Sequence, residues 1–284
     1  MKTGIVDVGG GLRGIFGAGI YDYCLEHQIY FDDCIGVSAG SANIACYLAG
    51  QKGRDIAFYT EYPFRRQYMS FWNFLTKGSY LDLHYLYGTL SVSDGENPLD
   101  FAALQKNSSE MTVVASEAVS GKVKYFHKSD MKRDHYDVLC ASCCLPAICK
   151  PYPVNGVLYY DGALGDPVPV QKALDDGCDK IVLVLTKPRN LLRDSVQDSR
   201  FARRIARKYP KAAQNLCQRA EHYNDGVAFA KELEKKGKVL ILAPDRLPAI
   251  GSLTRDKKVL LAMYQCGHES ATAIPDFFRS PGKN

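Results

Sequence analysis

The chain has 284 residues, of which 46% are hydrophobic and 24% charged, and this composition is ordinary for a globular protein. The net charge of +5 is mild, so it gives no reason to expect a nucleic-acid partner. Apolar runs such as 181–185 and 239–243 are long enough for buried strands but too short to cross a membrane. Because Asp7 and Arg13 interrupt the N-terminal apolar stretch, we expect no signal peptide, a cytoplasmic location and reduced cysteines.

The first half of the chain alternates between strand-like and helix-like segments. Residues 3–8 and 34–37 have the apolar character of buried strands, whereas 15–27 and 39–50 have helical spacing of apolar or small residues. Residues 52–100 are rich in aromatic residues and contain the only tryptophan. They form either a lid or binding wall or, as we favour, helices packed on the sheet.

The second half continues this alternation. Residues 111–119 and 122–128 are predicted to form a hairpin, because Ser120 and Gly121 join them. A helix is predicted at 136–144, then a strand, a loop and a helix within 157–174, further strands at 181–185 and 238–243, and a terminal helix at 253–267. Strands that alternate with helices predict an α/β fold with a mostly parallel sheet covered on both faces.

A G-x-S-x-G pattern lies between the second predicted strand and the helix that follows it. Its residues are Gly36, Val37, Ser38, Ala39 and Gly40. In this pattern the serine occupies a sharp strand-to-helix turn, which exposes its hydroxyl and directs the first N–H groups of the helix at the group under attack. Ser38 is therefore a candidate nucleophile, although the bare pattern also fits a simple turn of small residues.

A glycine-rich loop follows the first predicted strand. It comprises Gly9, Gly10, Gly11, Leu12, Arg13 and Gly14. One interpretation is the phosphate-binding loop of a dinucleotide fold, but that fold needs an acidic residue after the second strand, and Asp32 and Asp33 precede it. The other is an oxyanion hole, in which N–H groups of this loop and of Ala39 face the oxygen that develops opposite Ser38. In the second case, Arg13 either fixes the loop or is a surface charge.

The base that would serve Ser38 is not evident among the histidines. None of the six lies in a recognisable catalytic motif, although a triad through His222 or His268 is not excluded. A carboxylate can replace histidine if it meets the serine directly in a partly desolvated site. Asp161 ends an apolar strand and precedes Gly162 and Ala163, whose small size would allow close approach to another backbone. Alone, Asp161 would be interpreted as a turn residue.

Three motifs, GGGLRG, GVSAG and DGA, stand in one order and together resemble the patatin-like phospholipase family of bacterial type. The segments GIFGAGIYDYCLE, NPLDFAAL and ASCCLPAICKPYPVNGVLYYDGALGDPVPVQKALDDGCDKIVLVL are similar to that family as well. The departures are small: Cys143 and Cys144 stand where small residues are common, and the third motif ends in Ala163 rather than glycine. The resemblance is specific over residues 4–187 and weaker beyond them.

The resemblance implies a three-layer α/β/α fold and hydrolysis of lipid esters through an acyl-serine intermediate. It implies Ser38 as the nucleophile, Asp161 as the base and the loop 9–14 as the oxyanion hole, with no metal or organic cofactor. The implied catalytic domain spans 4–187. The remainder, 188–284, holds a basic helical segment, the strand 238–243 and a terminal helix, and we expect it to pack on the same domain.

A group of cysteines suggests a metal site. Cys140, Cys143, Cys144 and Cys149 lie close together in the sequence. No matching second pair of ligands follows them, so we expect small buried side chains and no metal.

The segment 200–219 has seven basic residues and no acidic one. It could form one helix bent at Pro210, with an apolar stripe of Phe201, Ile205, Ala212 and Leu216. A solvated basic face is the commoner explanation, and peripheral docking on an anionic membrane is the alternative.

Two rival functions stay open: an NAD(P)-binding oxidoreductase of the Rossmann type, and a non-catalytic lipid-binding regulatory protein. Neither requires the three motifs to occur together. The sequence leaves open the lipid head group, the acyl length, the position cleaved, the choice between hydrolysis and acyl transfer, and the oligomeric state.

Overall fold

A computed structural model describes residues 1–246 and 251–280 of the chain. Its strands are β1 (Thr3–Asp7), β2 (Asp33–Val37), β3 (Glu110–Glu117), β4 (Val123–His127), β5 (Tyr152–Val154), β6 (Val157–Asp161), β7 (Lys180–Val184) and β8 (Val239–Leu242). Its α-helices are α1 (Ile15–Glu26), α2 (Ala39–Leu48), α3 (Arg54–Thr60), α4 (Phe71–Lys77), α5 (Phe101–Lys106), α6 (Asp137–Ser142), α7 (Val170–Asp175), α8 (Val196–Ile205), α9 (Pro210–Lys235), α10 (Lys257–Ser270) and α11 (Ile274–Arg279). The predicted region 188–284 includes 247–250 and 281–284, which lie outside the described residues.

All the strands named above belong to one sheet. Parallel pairing joins β3, β2, β1, β7 and β8 in that order, and β4, β5 and β6 add antiparallel pairs on the β3 side. The sheet is mostly parallel, which confirms the sequence prediction, and the predicted hairpin is the β3–β4 pair. Because β8 pairs with β7, the sheet continues into the C-terminal part of the chain.

Strand β3 changes partner along one of its edges. β4 pairs with one edge over residues 112–116. The other edge pairs with β2 as far as Val114, which lies opposite Val37, and with β6 from Ala115, which lies opposite Asp161. Because β2 runs parallel and β6 antiparallel to β3, their carboxyl ends meet on this edge. The residue after Val37 therefore lies beside Asp161.

Alternate residues of the central strands face two separate cores. Ile5 and Val113 belong to one core, which includes side chains of α1, α2 and α10. Val6 and Val114 belong to the other, which includes side chains of α7 and α9. Helices on both faces of one sheet make a three-layer α/β/α fold, and the predicted fold class is confirmed.

The basic segment differs from the predicted single bent helix. Two helices replace it: α8 ends at Ile205 and α9 begins at Pro210. Proline has no N–H group to donate inside a helix, but this group is not needed in the first turn, where Pro210 lies. The predicted stripe of Phe201, Ile205, Ala212 and Leu216 packs against the first core. These packed apolar side chains cannot insert into a bilayer. Only the exposed basic residues of this segment could contact a membrane, and that contact remains a prediction.

The C-terminal helix also differs from its predicted bounds. α10 begins at Lys257 rather than at 253, because the Asp256 carboxylate accepts hydrogen bonds from the N–H groups of Lys258 and Val259. It extends to Ser270, and α11 follows. No helix of the described residues combines the length and apolar character needed to cross a bilayer.

The aromatic-rich region 52–100 contains both kinds of structure that the sequence allowed. Phe58, Tyr59 and Tyr87 are buried in the first core, as the favoured interpretation predicted. Helix α4, by contrast, exposes its large apolar side chains to solvent. The region therefore buries part of its aromatic residues in the first core and presents a separate apolar surface at α4.

Candidate active site

Ser38 occupies the turn between β2 and α2 in an unusual backbone conformation. Its φ of 56° and ψ of −131° lie in a region that residues other than glycine rarely adopt. The buried Ser142 hydroxyl holds this turn, since it accepts from the Ser38 N–H at 2.9 Å and donates to the Val114 carbonyl at 2.6 Å. Because Ser142 has one hydroxyl proton, the Ser41 hydroxyl must be the donor in its 2.9 Å contact with Ser142.

Asp161, at the end of β6, presents one free carboxylate oxygen. Its Oδ1 accepts from the Ala163 N–H at 2.9 Å, while its Oδ2 is buried and has no hydrogen-bond partner among the described residues. Burial raises the pKa of Asp161 above its ordinary value, and the nearby Ser38 hydroxyl offsets part of that rise. A Cβ atom on Gly162 would lie 2.3 Å from the Val114 carbonyl, so the close approach of β6 to β3 requires glycine there.

The glycine loop packs directly against the Ser38 turn. A Cβ atom on Gly9 would lie 2.2 Å from the Val37 carbonyl, and its φ is +63°, so glycine is required there too. The Gly9 N–H donates to Asp7 Oδ1 at 2.9 Å, and the Leu12 N–H donates to the Ser252 carbonyl at 2.8 Å. These two donors are occupied, so fewer loop residues can serve an oxyanion than the sequence suggested.

Three N–H groups of the predicted oxyanion hole have no acceptor within residues 1–246 and 251–280: those of Gly10, Gly11 and Ala39. Gly10 and Gly11 line the same cavity as Ser38. Ala39 begins α2, and N–H groups at a helix N-terminus carry partial positive charge. The other predicted loop members, Arg13 and Gly14, lie within a 3₁₀ turn at Gly11–Gly14.

A buried polar network, which the sequence reasoning missed, supports the loop. Asp7 accepts from Gly9 through Oδ1 and from Asn43 Nδ2 through Oδ2 at 3.2 Å. Asn43 also donates to the Gly14 carbonyl at 2.9 Å and accepts from the Tyr59 hydroxyl at 2.6 Å. Burial raises the pKa of Asp7 to about 6, against the opposing effect of the Gly9 and Asn43 hydrogen bonds. The only sequence signal was a carboxylate within an apolar strand.

The candidate residues open into a cavity of about 590 Å³. Its apolar lining residues include Leu145, Ile148, Phe201, Leu216 and Leu253. Its cationic lining residues are Arg13, Lys187, Arg193 and Arg219. A second cavity of about 950 Å³, lined mainly by apolar and aromatic residues, shares Ile148 and Leu253 with it. The site therefore combines an apolar region, a cationic region and the Ser38 hydroxyl.

The remaining candidates lie elsewhere. His268 Nε2 is 2.8 Å from Glu26, and His222 is exposed and does not line the Ser38 cavity, so the triad alternative gains no support. Asp32 accepts a hydrogen bond from the Thr3 N–H at 2.7 Å and lies at the amino ends of β1 and β2, whereas Ser38 lies at the carboxyl end of β2. The four clustered cysteines are buried, and across the described parts of the chain no three His, Cys, Asp or Glu side chains form a possible metal site.

Comparisons with known proteins bear on the same residues. A family model described as Patatin-like phospholipase matches residues 8–174, and a second, described as a domain of unknown function (DUF6363), matches 209–276. An Escherichia coli (strain K12) protein described as "Uncharacterized protein YjjU" is 26% identical over 251 residues, which cover 86% of this chain and 69% of that protein. The crystal structure of VipD from Legionella pneumophila aligns with a TM-score of 0.49 and 13% identity, covering 97% of this chain and 67% of VipD. The first family match spans more than half of the chain and includes both Ser38 and Asp161.

Proposed function

Because this chain belongs to the patatin-like phospholipase family, we propose that it hydrolyses carboxylic esters of lipids with Ser38 as the nucleophile and Asp161 as its base. Family membership supports the broader activity, that of a hydrolase acting on lipid esters. The finer assignment rests on one observation: β2 and β6 end against each other on the same edge of β3, beside the free Oδ2 of Asp161.

In the first half of the proposed reaction, the Ser38 oxygen attacks the ester carbonyl carbon while its proton passes to Asp161 Oδ2. The electron pair of the carbonyl double bond moves to the oxygen. This oxyanion accepts hydrogen bonds from the free N–H groups of Gly10, Gly11 and Ala39. When the intermediate collapses, the leaving alkoxide takes the proton from Asp161, and the acyl group stays on Ser38.

In the second half, water attacks the acyl carbon and gives a proton to Asp161. Collapse of this intermediate releases the fatty acid and returns the proton to the Ser38 oxygen, which restores the starting state. Burial of Asp161 favours both steps, because a raised pKa makes the carboxylate a stronger base. The larger apolar cavity adjoins the site through Ile148 and Leu253 and has room for an acyl chain.

Hydrolysis of a p-nitrophenyl ester tests this assignment. We expect Ser38→Ala to lower kcat by about 1,000-fold or more and Asp161→Asn by about 100-fold or more. Ser109→Ala and Asp166→Asn are matched controls that should retain activity, since Ser109 is buried and Asp166 is half-buried but neither lines the Ser38 cavity. A wild-type rate in the Ser38 or Asp161 variant would contradict the dyad.

A fluorophosphonate probe separates this proposal from its two rivals. Covalent labelling of wild type that is lost in Ser38→Ala supports an activated serine. Nicotinamide-cofactor binding without labelling would favour an oxidoreductase. Lipid binding without turnover of any ester would favour a non-catalytic lipid-binding protein.

A further inference from the structure

Four cationic side chains line the Ser38 cavity with too little negative charge to balance them. They are Arg13, Lys187, Arg193 and Arg219. Asp198 pairs closely with Arg219, including a 3.0 Å contact to its Nε, and more loosely with Arg193 at 3.3–3.4 Å. Asp161 is the one acidic residue that lines this cavity within the described parts of the chain. Arg193 and Arg219 therefore share the single charge of Asp198, and Arg13 and Lys187 have no ion pair among the described residues, although Asp194 lies near enough to Lys187 to act on its pKa.

Arg13 and Lys187 also have donors without partners. Arg13 is only 8% exposed, yet its Nε has no hydrogen-bond partner among the described residues, and its Nη1 contacts only the Ser252 hydroxyl, at 3.2 Å. Lys187 has no hydrogen bond, and no carboxylate within 4 Å of its Nζ, among the same residues; the nearest acidic influence on it is that of Asp194. Burial, together with the charges of Arg13, Arg193 and Arg219, lowers the pKa of Lys187 to about 8, against the opposing effect of the Asp194 carboxylate. Like charges held together in a partly dry cavity are unfavourable unless an anion joins them.

We infer that this cationic cluster binds the phosphate group of an acyl-ester substrate and so selects phosphate-bearing esters over uncharged ones. This inference rests on the proposed function of Ser38. Arginine forks and a lysine ammonium are the usual protein partners of phosphate oxygens. A head group that adds a positive charge beside the phosphate is disfavoured in the same cavity, so a phosphomonoester fits the site better than a zwitterionic head group.

The inference gives the C-terminal part of the chain a role at the site. Arg219 lies on α9, and Ser252 contacts both Arg13 and the Leu12 N–H. Both residues fall within 209–276, the segment matched by the family model of unknown function. This segment contributes to the recognition of the substrate, while Ser38 and Asp161 come from the segment matched by the phospholipase model.

A matched pair of soluble substrates tests the inference: octanoyl glycerol and octanoyl glycerol 3-phosphate. Wild type should have a kcat/KM at least about 10-fold higher on the phosphate ester. Lys187→Gln should reduce that preference by about 10-fold, mainly through KM, because it removes one charge-assisted hydrogen bond to the phosphate. Lys236→Gln removes the same charge from an exposed position just before β8, at the opposite end of the strands, and should keep the preference.

Each outcome separates this inference from the proposed function. If neither ester is cleaved, the proposed function fails. If both are cleaved with equal kcat/KM, or if Lys187→Gln keeps the wild-type preference, the phosphate site fails alone. Inorganic phosphate should compete with the phosphate ester. Activation of octanoyl glycerol hydrolysis by inorganic phosphate, with no preference between the esters, would instead identify free phosphate as the ligand and overturn the head-group assignment.

A second, independent inference concerns α4, whose polarity is inverted. The Asn73 side chain is buried and donates to the backbone carbonyls of Gln67 and Tyr68 at 3.0 and 3.2 Å, and the Ser70 hydroxyl caps the helix. Four large apolar side chains of the same helix face solvent: Phe71, Trp72, Phe74 and Leu75. Trp72 and Leu75 are each 63% exposed. The polar side chain of Asn73 thus anchors α4 to the protein, and the apolar side chains of the helix form an exposed patch. Exposed apolar patches of this kind mark sites that bind another apolar surface.

The surroundings of α4 are basic and lead toward Ser38. Phe71 and Phe74 line the cavity of about 950 Å³ together with Lys150, Arg204 and Lys208. This cavity shares Ile148 and Leu253 with the Ser38 cavity. An apolar surface with basic residues around it complements an anionic bilayer, in which phosphates lie above the acyl chains.

We propose that α4 docks on an anionic membrane surface and inserts Phe71, Trp72, Phe74 and Leu75 between the lipid head groups. Docking there would place the mouth of the larger cavity against the bilayer. An acyl chain could then enter the cavity without crossing water. The exposed basic residues of 200–219, among them Arg204 and Lys208, would supply electrostatic attraction rather than an apolar anchor.

Trp72 is the only tryptophan in the chain, so intrinsic fluorescence reports on α4 directly. Vesicles containing phosphatidylglycerol should shift its emission to the blue and protect it from iodide, whereas phosphatidylcholine vesicles should do so less. Leu75→Ser should weaken co-sedimentation with the anionic vesicles by about 5-fold or more, since the variant loses the favourable burial of an apolar side chain in the bilayer. Phe229→Ser, on α9, removes an apolar side chain that is 38% exposed and should bind normally.

Ser38→Ala should bind vesicles as wild type does, so this test does not depend on turnover. An unchanged Trp72 spectrum with anionic vesicles would overturn the proposal. Equal loss of binding in Leu75→Ser and Phe229→Ser would also overturn it, because the effect would then not be specific to α4.

Discussion

Replacing Ser142 by alanine should destabilise the protein more than replacing Ser41, because Ser142 serves three buried groups at once. Its hydroxyl accepts from the Ser38 N–H and the Ser41 hydroxyl and donates to the Val114 carbonyl. A buried polar group left without a partner costs about 1–3 kcal/mol. If the Ser41 hydroxyl rotates to another acceptor, the Ser38 N–H and the Val114 carbonyl are left without partners, and we expect Ser142→Ala to lower the free energy of unfolding by about 3 kcal/mol. Ser41→Ala breaks one of these contacts and should cost about 1 kcal/mol.

Urea unfolding followed by circular dichroism measures both values, and p-nitrophenyl ester hydrolysis measures their effect on the site. Ser142→Ala should also lower kcat under conditions where the variant is still folded, because the Ser38 N–H loses the acceptor that holds the turn. Ser41→Ala keeps that acceptor and should stay within a few-fold of wild type. A smaller loss of stability in Ser142→Ala than in Ser41→Ala would refute the hydrogen-bond assignment.

Three further predictions concern pH and the loop. The kcat/KM for a neutral ester should fall as the pH drops through the pKa of Asp161, because protonation of Asp161 removes the base. Since burial raises this pKa above 3.8, the value of an ordinary aspartate, an acid limb at or below pH 3.8 would contradict the prediction. With the phosphate ester, kcat/KM should also fall as the pH rises through about 8, where Lys187 loses its charge. Lys187→Arg should move this alkaline limb to higher pH. An alkaline limb at the same pH in Lys187→Arg would show that another group titrates there. Gly9→Ala should abolish hydrolysis and lower the free energy of unfolding in urea by at least about 2 kcal/mol, because the new Cβ would clash with the Val37 carbonyl. Gly50 also has a positive φ, but no atom lies within 4 Å of a Cβ there, so Gly50→Ala should lower it by only about 1 kcal/mol. Equal losses in the two variants would show that the clash with Val37 is unimportant.

The sequence was most informative where chemistry depends on neighbouring residues. The strand-to-helix turn at Ser38 and the alternation of strands and helices follow from local patterns, and the structure has both. The proximity of Ser38 and Asp161 does not follow from such patterns. It depends on β6 pairing with the part of the β3 edge that β2 leaves free, which is a long-range choice of register. In the sequence argument, only the family resemblance joined the two residues.

Residues that act through burial were the hardest to find in the sequence. Ser142 is the last residue of α6, and its role comes from contacts with three groups on two distant segments, the start of α2 and β3. Pro210 was expected to bend a helix, yet a proline also fits the first turn of one, and only the packing on either side decides between these. Charges have the same ambiguity, because exposed and buried arginines look alike in a sequence.

The cationic cluster illustrates this ambiguity and also argues for a function. Arg219 lies in the basic segment, yet it is 8% exposed and paired with Asp198, whereas Arg203 and Arg204 are exposed. The fold therefore has the means to neutralise a buried cation, and it does so at Arg219. It leaves the buried Arg13 and the half-buried Lys187 without an ion pair among the described residues, in the cavity that Ser38 lines, although a desolvated charge without an ion pair lowers stability. A cost of this kind is expected where a charged ligand offsets it, and the cavity that these residues share with Ser38 is where such a ligand would bind.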